Sequence, residues 1–424
     1  MAMNPGPTPS RPRLLMLTSQ LSYPPHQGAT IRSYNLLREL ARRSDIDLLS
    51  FVSDMRELDA AAPLRALCRS IEAIPVPRRS LGQRIRGVAF TVRPDMALRF
   101  WSQPFAELLA RRLQRKTYDA TLFVGIDMGP YLEQVSSWRT HLPAGAARPM
   151  LIFDDLNAEY LLQQRAFETD LHHLSHPRRW AGALYSLIQW RRLRRFEARL
   201  CRLADHVVAV SDADQLALKK IVRGLDVTVV PNGVDLERYR PAVSLGERKV
   251  PAPALVFTGK MDFRPNVDAA CWFADEVLPL IMSRVPETTF AIVGRDPHPR
   301  VRALASRPGV RVTGYVEDDI PYFADATVYV VPLRVGGGTR LKVLAAMAME
   351  DAIVSTSLGC EGLGALSGRE LVIAEDAVDF AEQTVALLKD ADRRRALGTR
   401  ARQFVEERYG WPAIAPRLEQ LYLR

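Results

Sequence analysis

Three consecutive glycines and two cationic side chains stand at the start of a predicted helix in the C-terminal half of the chain. The sequence there reads VGGGTRLK, in which Gly337, Gly338 and Thr339 precede Arg340 and Lys342. Glycines let backbone N–H groups approach a phosphate closely, and a helix N-terminus already carries a partial positive charge. Two cations at that position are unfavourable unless an anion binds there, so the segment predicts a phosphate-bearing ligand.

A second group of polar side chains follows a predicted buried strand in the N-terminal half. The sequence IFDDLNAEY places Asp154, Asp155, Asn157 and Glu159 within six residues. Polar groups at the carboxyl end of a parallel strand face the ligand crevice of such folds. Asp154 and Asp155 could therefore bind ligand hydroxyl groups or stabilise a developing positive charge. Asp155 or Asn157 could equally well cap the helix that follows.

Short apolar runs alternate with helical patterns along most of the chain, which is typical of a parallel α/β fold. One series of apolar runs extends over 14–231 and a second over 254–356. The polar, proline-containing segment 236–252 lies between them and is the best candidate for a linker. We therefore predict a disordered leader at 1–12, two Rossmann-like domains at 13–235 and 253–408, and a last helix at 409–424.

The composition narrows the classes of partner and site. The net charge of +10 favours phosphorylated small molecules, anionic lipid or nucleic acid, but no recognition motif accompanies it, so we expect no nucleic-acid partner. The four cysteines include no CxxC pair, which argues against a disulfide framework or a zinc site. No apolar run approaches the ~20 residues of a membrane span. We expect a cytoplasmic protein whose basic, aromatic segment 177–203 could contact an anionic membrane peripherally.

Several segments resemble the family 4 retaining glycosyltransferases of GT-B fold. GGGTRLK, VPNGVD at 230–235, and YPP followed by IRSY near the N-terminus are similar to segments of the bacterial surface-polysaccharide enzymes in that family. The resemblance implies two Rossmann-like domains that face each other across a cleft, with the last helix packing back on the N-terminal domain. It also implies retaining transfer of a hexose from a nucleotide-diphosphate sugar to a glycan or lipid-linked acceptor, without a cofactor or a metal.

The same resemblance assigns roles to individual residues, mostly in the C-terminal half. The side chains that would hold the leaving diphosphate are Lys260, Arg264, Arg340 and Lys342. The catalytic groups would be Lys260 and Arg340, together with Asp154 and Asp155. The roles of the two aspartates follow from their position after the strand, because several family members carry a histidine-containing motif near there and this chain does not. Tyr315 and Val316 would contact the nucleobase. The other donor-binding positions that the resemblance implies are Gly28, Gly259, Asn266, Gly294, Gly337, Gly338 and Thr339. We add Glu361 as a nearby carboxylate, although the resemblance assigns it no role.

One position departs from the family pattern. Ala345 stands where the family carries a glutamate that accepts hydrogen bonds from ribose hydroxyls, and losing such a bond costs about 1.5–3 kcal/mol. Glu350 lies about 140° further round the predicted helix, so it cannot supply that carboxylate. It also occupies the position of the glycine that would end the helix. The alternatives are a non-catalytic GT-B relative that binds a nucleotide or a partner in a glycan assembly complex, and a GT-B sugar-nucleotide epimerase.

Overall fold

The computed structural model of the chain describes residues 11–25, 28–80, 82, 87, 91–171, 177–241, 247–336 and 340–423. The chain forms two compact units. Unit 1 comprises Met1–Pro231 together with Ala415–Arg424, and unit 2 comprises Asn232–Ile414. The polypeptide therefore passes between the units twice, once near residue 231 and once near residue 414.

Within the described part of unit 1, seven parallel strands form one sheet in the order β3-β2-β1-β4-β5-β6-β7. The strands are β1 (Arg13–Thr18), β2 (Asp45–Val52), β3 (Ser70–Pro75), β4 (Ala120–Val124), β5 (Met150–Asp155), β6 (His206–Ala209) and β7 (Val227–Val229). The helices are α1 (Gly28–Leu40), α2 (Glu57–Ala60), α3 (Ala62–Leu67), α4 (Asp95–Arg99), α5 (Gln103–Arg115), α6 (Gly129–Thr140), α7 (Glu159–Leu171), α8 (Pro177–Leu203) and α9 (Asp212–Ile221). A 3-10 turn at Ile126–Met128 follows β4.

The described part of unit 2 contains a six-stranded parallel sheet in the order β10-β9-β8-β11-β12-β13. The strands are β8 (Ala254–Thr258), β9 (Thr289–Val293), β10 (Val310–Gly314), β11 (Val328–Val331), β12 (Ile353–Ser355) and β13 (Val372–Ile373). The helices are α10 (Arg264–Trp272), α11 (Leu278–Met282), α12 (Pro299–Ala303), α13 (Ile320–Asp325), α14 (Leu341–Ala348), α15 (Ala377–Lys389), α16 (Ala391–Arg408) and α17 (Trp411–Glu419). A π turn at Phe273–Val277 and 3-10 turns at Leu304–Ser306 and Leu358–Cys360 complete it.

The central strands of both sheets are buried along their whole length. Every residue of β4 and of β8 is buried, which requires a continuous apolar run rather than an alternating one. Each unit has its own apolar core, built from the two faces of its sheet and the helices that pack on them. The predicted parallel α/β architecture with two Rossmann-like domains is confirmed.

The end of α17 packs in unit 1, although α17 begins in unit 2. Leu418 and Leu421 are buried there. The Tyr422 hydroxyl lies 3.1 Å from Ser44 Oγ, and Glu419 pairs with Arg43 at 3.5 Å. The predicted return of the last helix to the N-terminal domain is therefore confirmed.

Segment 177–203 forms the single helix α8, as its pattern predicts. Among the described residues, no helix is both long enough and apolar enough to cross a membrane. The peripheral membrane contact of this segment and the domain limits drawn from the sequence stay predictions.

Candidate functional site

The predicted donor-binding residues of unit 2 meet at one edge of its sheet, because parallel strands all end at the same edge. They follow five neighbouring strands: Tyr315 and Val316 after β10, Gly294 after β9, Gly259 and Lys260 after β8, Arg340 and Lys342 after β11, and Glu361 after β12. Two more, Arg264 and Asn266, lie in the first turn of α10. The fold thus gathers residues that are up to about a hundred positions apart in the sequence.

Two glycines at this edge are required by close approaches of other atoms. A Cβ atom on Gly294, whose φ is 148°, would lie 1.7 Å from the carbonyl oxygen of Gly259. A Cβ atom on Gly259, whose φ is 155°, would lie 2.7 Å from Asn266 Nδ2 and 2.9 Å from Lys342 Nζ. The missing side chain at Gly259 is therefore what allows Lys342 to reach the end of β8.

Lys342 is held in place by groups from two other segments. Its ammonium group donates a hydrogen bond to Asn266 Oδ1 at 2.8 Å and lies 4.2 Å from the centre of the Phe257 ring. Asn266 in turn donates from Nδ2 to the backbone carbonyl of Lys260 at 2.9 Å. This chain of contacts fixes the ammonium group between the start of α14 and the end of β8.

Burial and a neighbouring cation both act against the charge on Lys342. Burial lowers the pKa of Lys342 to about 7, and the positive charge of Arg340 contributes to the same shift. Arg340 is itself buried, which lowers the pKa of its guanidinium, although Glu361 partly offsets this from 3.7 Å. Two cations so close together at a helix N-terminus form a site that an anion would stabilise.

The other predicted donor contacts lie nearer to solvent. Lys260 pairs with Asp262 at 3.0 Å, with both side chains nearly half exposed. Arg264 is exposed at the first position of α10. Tyr315 is 71% exposed, whereas Val316 packs partly against the core of unit 2. These residues lie at the same edge of the sheet as Arg340 and Lys342.

The glycine-rich loop is only partly described. Gly336 has a φ of 110°, and a Cβ atom there would lie 2.8 Å from Cγ of Pro265, so the loop runs closely against the start of α10. Gly337, Gly338 and Thr339 lie outside the described residues. Their predicted role in binding phosphate therefore stays a prediction.

Helix α14 has the unusual ends that its sequence suggests. Arg340 immediately precedes it, Ala345 is buried within it, and Glu350 adopts a φ of 61° just after it. The N–H of Asp351 donates to the carbonyl of Ala346 at 3.0 Å, which closes a glycine-type helix ending around Glu350.

Glu350 and Asp351 place two carboxyl groups at the C-terminal end of α14, where the helix dipole is already negative. Two features offset this unfavourable charge. Arg402 Nη1 donates to the carbonyl oxygen of Ala348 at 2.6 Å and places a cation there. Burial raises the pKa of Asp351 well above its ordinary value, which favours the uncharged form of this carboxyl group. Neither the contact with Arg402 nor the burial of Asp351 could be identified from the local sequence.

In unit 1, Asp154 is completely buried in an ion pair with Arg32 of α1. Both nitrogen–oxygen contacts are short, at 2.7 and 2.9 Å, and Arg32 also donates to the carbonyls of Val230 and Pro231. The pair joins α1, β5 and the segment after β7, which indicates a structural role for Asp154. Gly28 is the exposed first residue of the same helix. The predicted ligand roles of Asp154 and Gly28 are not tested by these contacts.

Asp155 is also buried, but its neighbour is another carboxyl group. Asp155 lies close enough to Glu197 of α8 for their negative charges to oppose each other, and neither carboxylate oxygen of Asp155 has a hydrogen-bond partner among the described residues. Burial is the main cause that raises the pKa of Asp155 well above its ordinary value and that of Glu197 to about 8.

The cap of α7 corrects one expectation from the sequence. The N–H groups of Glu159 and Tyr160 donate to the two carboxylate oxygens of Glu197 at 2.8 and 3.1 Å. The helix is therefore capped by Glu197 from α8, and not by Asp155 or Asn157 as the local pattern suggested. Sequence reasoning missed Glu197 because it stands within an arginine-rich helix, 38 positions away.

A cavity of about 720 Å³ opens in unit 1 where β1, β4 and β5 end. Its polar wall includes Gln20, Arg99, Asp127, Asn157 and Glu159, and its apolar wall includes Met96 and Phe100. The size is within the usual range for a small-molecule site. Among the described residues, no group of three or more acidic, histidine or cysteine side chains is arranged to hold a metal ion.

Comparisons with known proteins agree with this geometry. The family described as Glycosyltransferase Family 4 matches residues 26–238, and the family described as Glycosyl transferases group 1 matches residues 252–390. An uncharacterized 44.6 kDa protein in the cps region of Klebsiella pneumoniae is 26% identical over 163 residues, which cover 37% of this chain and 42% of that protein. A phosphatidyl-myo-inositol mannosyltransferase of Mycolicibacterium smegmatis is 28% identical over 205 residues, 47% of this chain and 52% of the relative.

The alignments thus span about half the length of these curated relatives. Among solved structures, Anabaena HepE in complex with UDP and glucose superposes with a TM-score of 0.63 at 14% identity, over 96% of this chain and 98% of HepE. This likeness shows a shared GT-B fold. The first family match alone covers half of the chain, from 26 to 238. The chain therefore belongs to glycosyltransferase family 4, with a second unit of the group 1 type, and has the GT-B fold.

Proposed function

We propose that this protein is a glycosyltransferase that transfers a hexose from a nucleotide-diphosphate sugar to a glycan or lipid-linked acceptor, with retention, in the synthesis of a surface polysaccharide. The observation that carries the proposal is the pair of cations at the start of α14, buried Arg340 and part-buried Lys342, with Lys342 held beside Gly259 and Asn266. The donor would bind at this edge of unit 2.

The charge of the site fits a diphosphate leaving group. Two cations in a desolvated position destabilise each other, and a doubly charged anion between them removes that cost. Stabilising charge that develops on a leaving group is one of the largest contributions to catalysis by such sites. Lys260 and Arg264 add positive charge from the more exposed side of the same edge.

The relatives support the choice of substrates. One similar protein is encoded in a cps region, and others are named mannosyltransferases that act on phosphatidyl-myo-inositol or on its mannoside with GDP-mannose. HepE has been solved with UDP and glucose. The name with GDP-mannose and the structure with UDP and glucose support a nucleotide-diphosphate hexose as donor, and the name with phosphatidylinositol monomannoside supports a lipid-linked acceptor that carries a sugar.

Calorimetry with UDP, GDP and ADP tests the donor site. We expect one nucleoside diphosphate to bind, and Arg340→Ala to weaken its binding at least about tenfold because a charged hydrogen bond contributes about 1.5–3 kcal/mol. Binding of the corresponding nucleoside should change much less. Equal losses for nucleoside and diphosphate would refute the assigned contact.

A turnover assay distinguishes a transferase from a non-catalytic GT-B relative that only binds a nucleotide or a partner. Incubation of the matching hexose donor with a mixture of alkyl glycosides should release the nucleoside diphosphate, and the anomeric coupling of the product in NMR should match that of the donor. Nucleotide binding without any transfer would favour the non-catalytic relative, and an inverted product would exclude retention. A donor epimerised without transfer would favour the epimerase.

A further inference from the structure

Unit 1 has a cavity whose base is formed by the ends of three adjacent strands. Ser19 follows β1, Asp127 lies in the turn after β4, and Asn157 and Glu159 follow β5. The residues opposite are contributed by α4 and the position after it. The carboxyl ends of neighbouring parallel strands are where ligands bind in open α/β sheets.

The three carboxyl groups between residues 154 and 159 are in very different surroundings. Asp154 is fully buried against Arg32, and Asp155 is fully buried against Glu197. Glu159 is partly exposed and lines the cavity. Asp155 also borders the cavity, but both of its carboxylate oxygens are inaccessible to solvent, so Glu159 is the one of these three groups whose carboxylate a molecule in the cavity can contact.

Glu159 is held firmly at this position. Its backbone N–H donates to Glu197 of α8 at 2.8 Å, and the N–H of Ala158 donates to Asp214 of α9 at 3.1 Å. Asn157 Nδ2 lies 3.4 Å from Glu159 Oε1 and orients the carboxyl group. A carboxylate that two neighbouring helices and an amide fix in place is suited to select the geometry of a bound group.

The charges around the cavity favour an uncharged ligand. Arg99 is paired with Asp127 at 3.0 Å, and Arg79 is paired with Asp95 at 2.8 Å. Each of these arginines is thus offset by a carboxylate, and Glu159 adds negative charge beside them. A phosphate or carboxylate close to Glu159 would be repelled, whereas hydroxyl groups can donate to it.

We propose that Glu159 determines acceptor specificity: its carboxyl group accepts a hydrogen bond from a hydroxyl of an uncharged sugar ring that lies in this cavity against Met96 and Phe100. The proposal rests on the glycosyl transfer proposed above and names the part of the acceptor that unit 1 recognises. Glu197 acts as a positioning residue, because its carboxylate accepts hydrogen bonds from the backbone N–H groups of Glu159 and Tyr160 at the start of α7.

Glu159 should also give acceptor binding a characteristic pH dependence. Burial raises the pKa of Glu159 to about 7, with a hydrogen bond from Asn157 opposing the shift. The other charged groups that face it are Asp127 and Arg99 beside the cavity, Asp214 of α9, and the Asp155–Glu197 pair. An ionised carboxylate accepts a hydrogen bond more strongly than a protonated one. Binding of a sugar hydroxyl therefore strengthens as the pH rises through about 7.

The test measures binding of simple sugars to the full chain by saturation-transfer NMR. The probes are the methyl α-glycosides of mannose, glucose and galactose, together with mannose 6-phosphate. We expect at least one glycoside to bind, and its affinity to fall about tenfold or more in Glu159→Ala because a charged hydrogen bond is lost. Glu159→Gln should remove the increase in affinity between pH 6 and pH 8. The matched control is Glu168→Gln, an exposed position on the same helix that hydrogen-bonds to Gln164.

Three results would overturn the proposal: no binding by any of the glycosides, unchanged affinity in Glu159→Ala, or tighter binding of the sugar phosphate than of the glycosides. Calorimetry with UDP, GDP and ADP on the same variants keeps the two hypotheses apart, because the donor site lies in unit 2. If nucleotides bind normally but no glycoside binds, only the proposed role of Glu159 in acceptor recognition is refuted. If the unmodified chain binds no nucleotide, the proposed transferase function is refuted. Thermal unfolding of each variant shows whether a loss of binding is caused by unfolding of the protein.

Discussion

At the scale of single residues, Lys342 shows how a local sequence feature becomes a chemical property. A lysine in the first turn of a helix is unfavourable in isolation, and in this fold it is also desolvated and close to Arg340. These effects lower the pKa of Lys342 to about 7. Near neutral pH the group is therefore only partly charged until an anion binds.

Binding of a nucleoside diphosphate should therefore take up protons. A nearby diphosphate favours the ammonium form, so binding at pH 8 should raise the pKa of Lys342 and draw a large fraction of one proton from the buffer. Calorimetry in Tris and in HEPES at pH 8 and pH 6 measures this, since the observed enthalpy varies with the ionisation enthalpy of the buffer. Lys342→Met should abolish the uptake and weaken binding, whereas Lys389→Met, at an exposed position on α15, should change neither. Enthalpies that are independent of the buffer at pH 8 would count against this electrostatic role.

The residues of the candidate sites differ in how far the sequence could predict them. Arg340 and Lys342 were predictable because helix position and charge conflict within a few residues. The partner of Asp154 is Arg32, 122 positions away, and the cap of α7 comes from Glu197 on another helix. Such pairings depend on tertiary packing, so a local pattern of carboxylates could indicate a polar site but could not show which carboxylate stays accessible.

At the scale of elements, α14 begins at the proposed anion site and is followed by a residue with a strained backbone. Glu350 follows the helix in the left-handed region that glycine adopts without cost, with a φ of 61°. A side chain there costs about 1–2 kcal/mol relative to glycine. The surroundings leave little freedom to relieve this strain, because Gly398 of α16 packs so closely that a Cβ atom on it would lie 2.0 Å from the carbonyl oxygen of Glu350.

Glu350→Gly should therefore stabilise unit 2. We expect a gain of about 0.5 kcal/mol or more in the free energy of unfolding, because relief of the strain exceeds the extra backbone entropy of glycine in the unfolded chain. Urea unfolding measures the change, and Glu350→Ala is the matched control because it removes the carboxylate and keeps the Cβ atom. If alanine stabilised the protein as much as glycine, charge rather than backbone conformation would be the cause.

At the scale of the whole molecule, the fold followed from the sequence much more directly than the sites did. Strands such as β4 and β8 are uninterrupted apolar runs because both faces of a parallel sheet are buried. The return of α17 to unit 1 was predictable from the family resemblance alone, and Leu418 and Leu421 are buried there. Unit 2 begins at Asn232, and Val234 packs in its core, whereas the linker at 236–252 stays a prediction.

The buried carboxyl groups of unit 1 should make its stability depend on pH. The pKa values of Asp155, Glu159 and Glu197 are raised in the folded state, to about 7 for Glu159 and about 8 for Glu197. Between the ordinary pKa of an acidic side chain, about 4, and these values, the folded state binds more protons than the unfolded state. Stability is therefore greatest in the acidic part of this range and decreases as the pH rises towards about 8.

Scanning calorimetry of the full chain at intervals from pH 5 to pH 8 tests this dependence. We expect the unfolding temperature of unit 1 to fall by at least about 2 °C across the range. The unfolding temperature of Glu197→Gln should fall less over the same range, because the glutamine side chain does not titrate, although its single oxygen can replace only one of the two cap acceptors of α7. The assignment is wrong if both proteins show the same dependence on pH.

The return of the chain from unit 2 to unit 1 constrains biosynthesis. Leu418, Leu421 and Tyr422 are buried in unit 1, yet they leave the ribosome only after all of Asn232–Ile414 has been translated. During translation of unit 2, the surface of unit 1 that these residues later cover therefore remains exposed. An expression fragment that stops at Pro231 would retain that uncovered apolar surface permanently, so aggregation of such a fragment would reflect its missing final segment and not an intrinsic instability of the sheet.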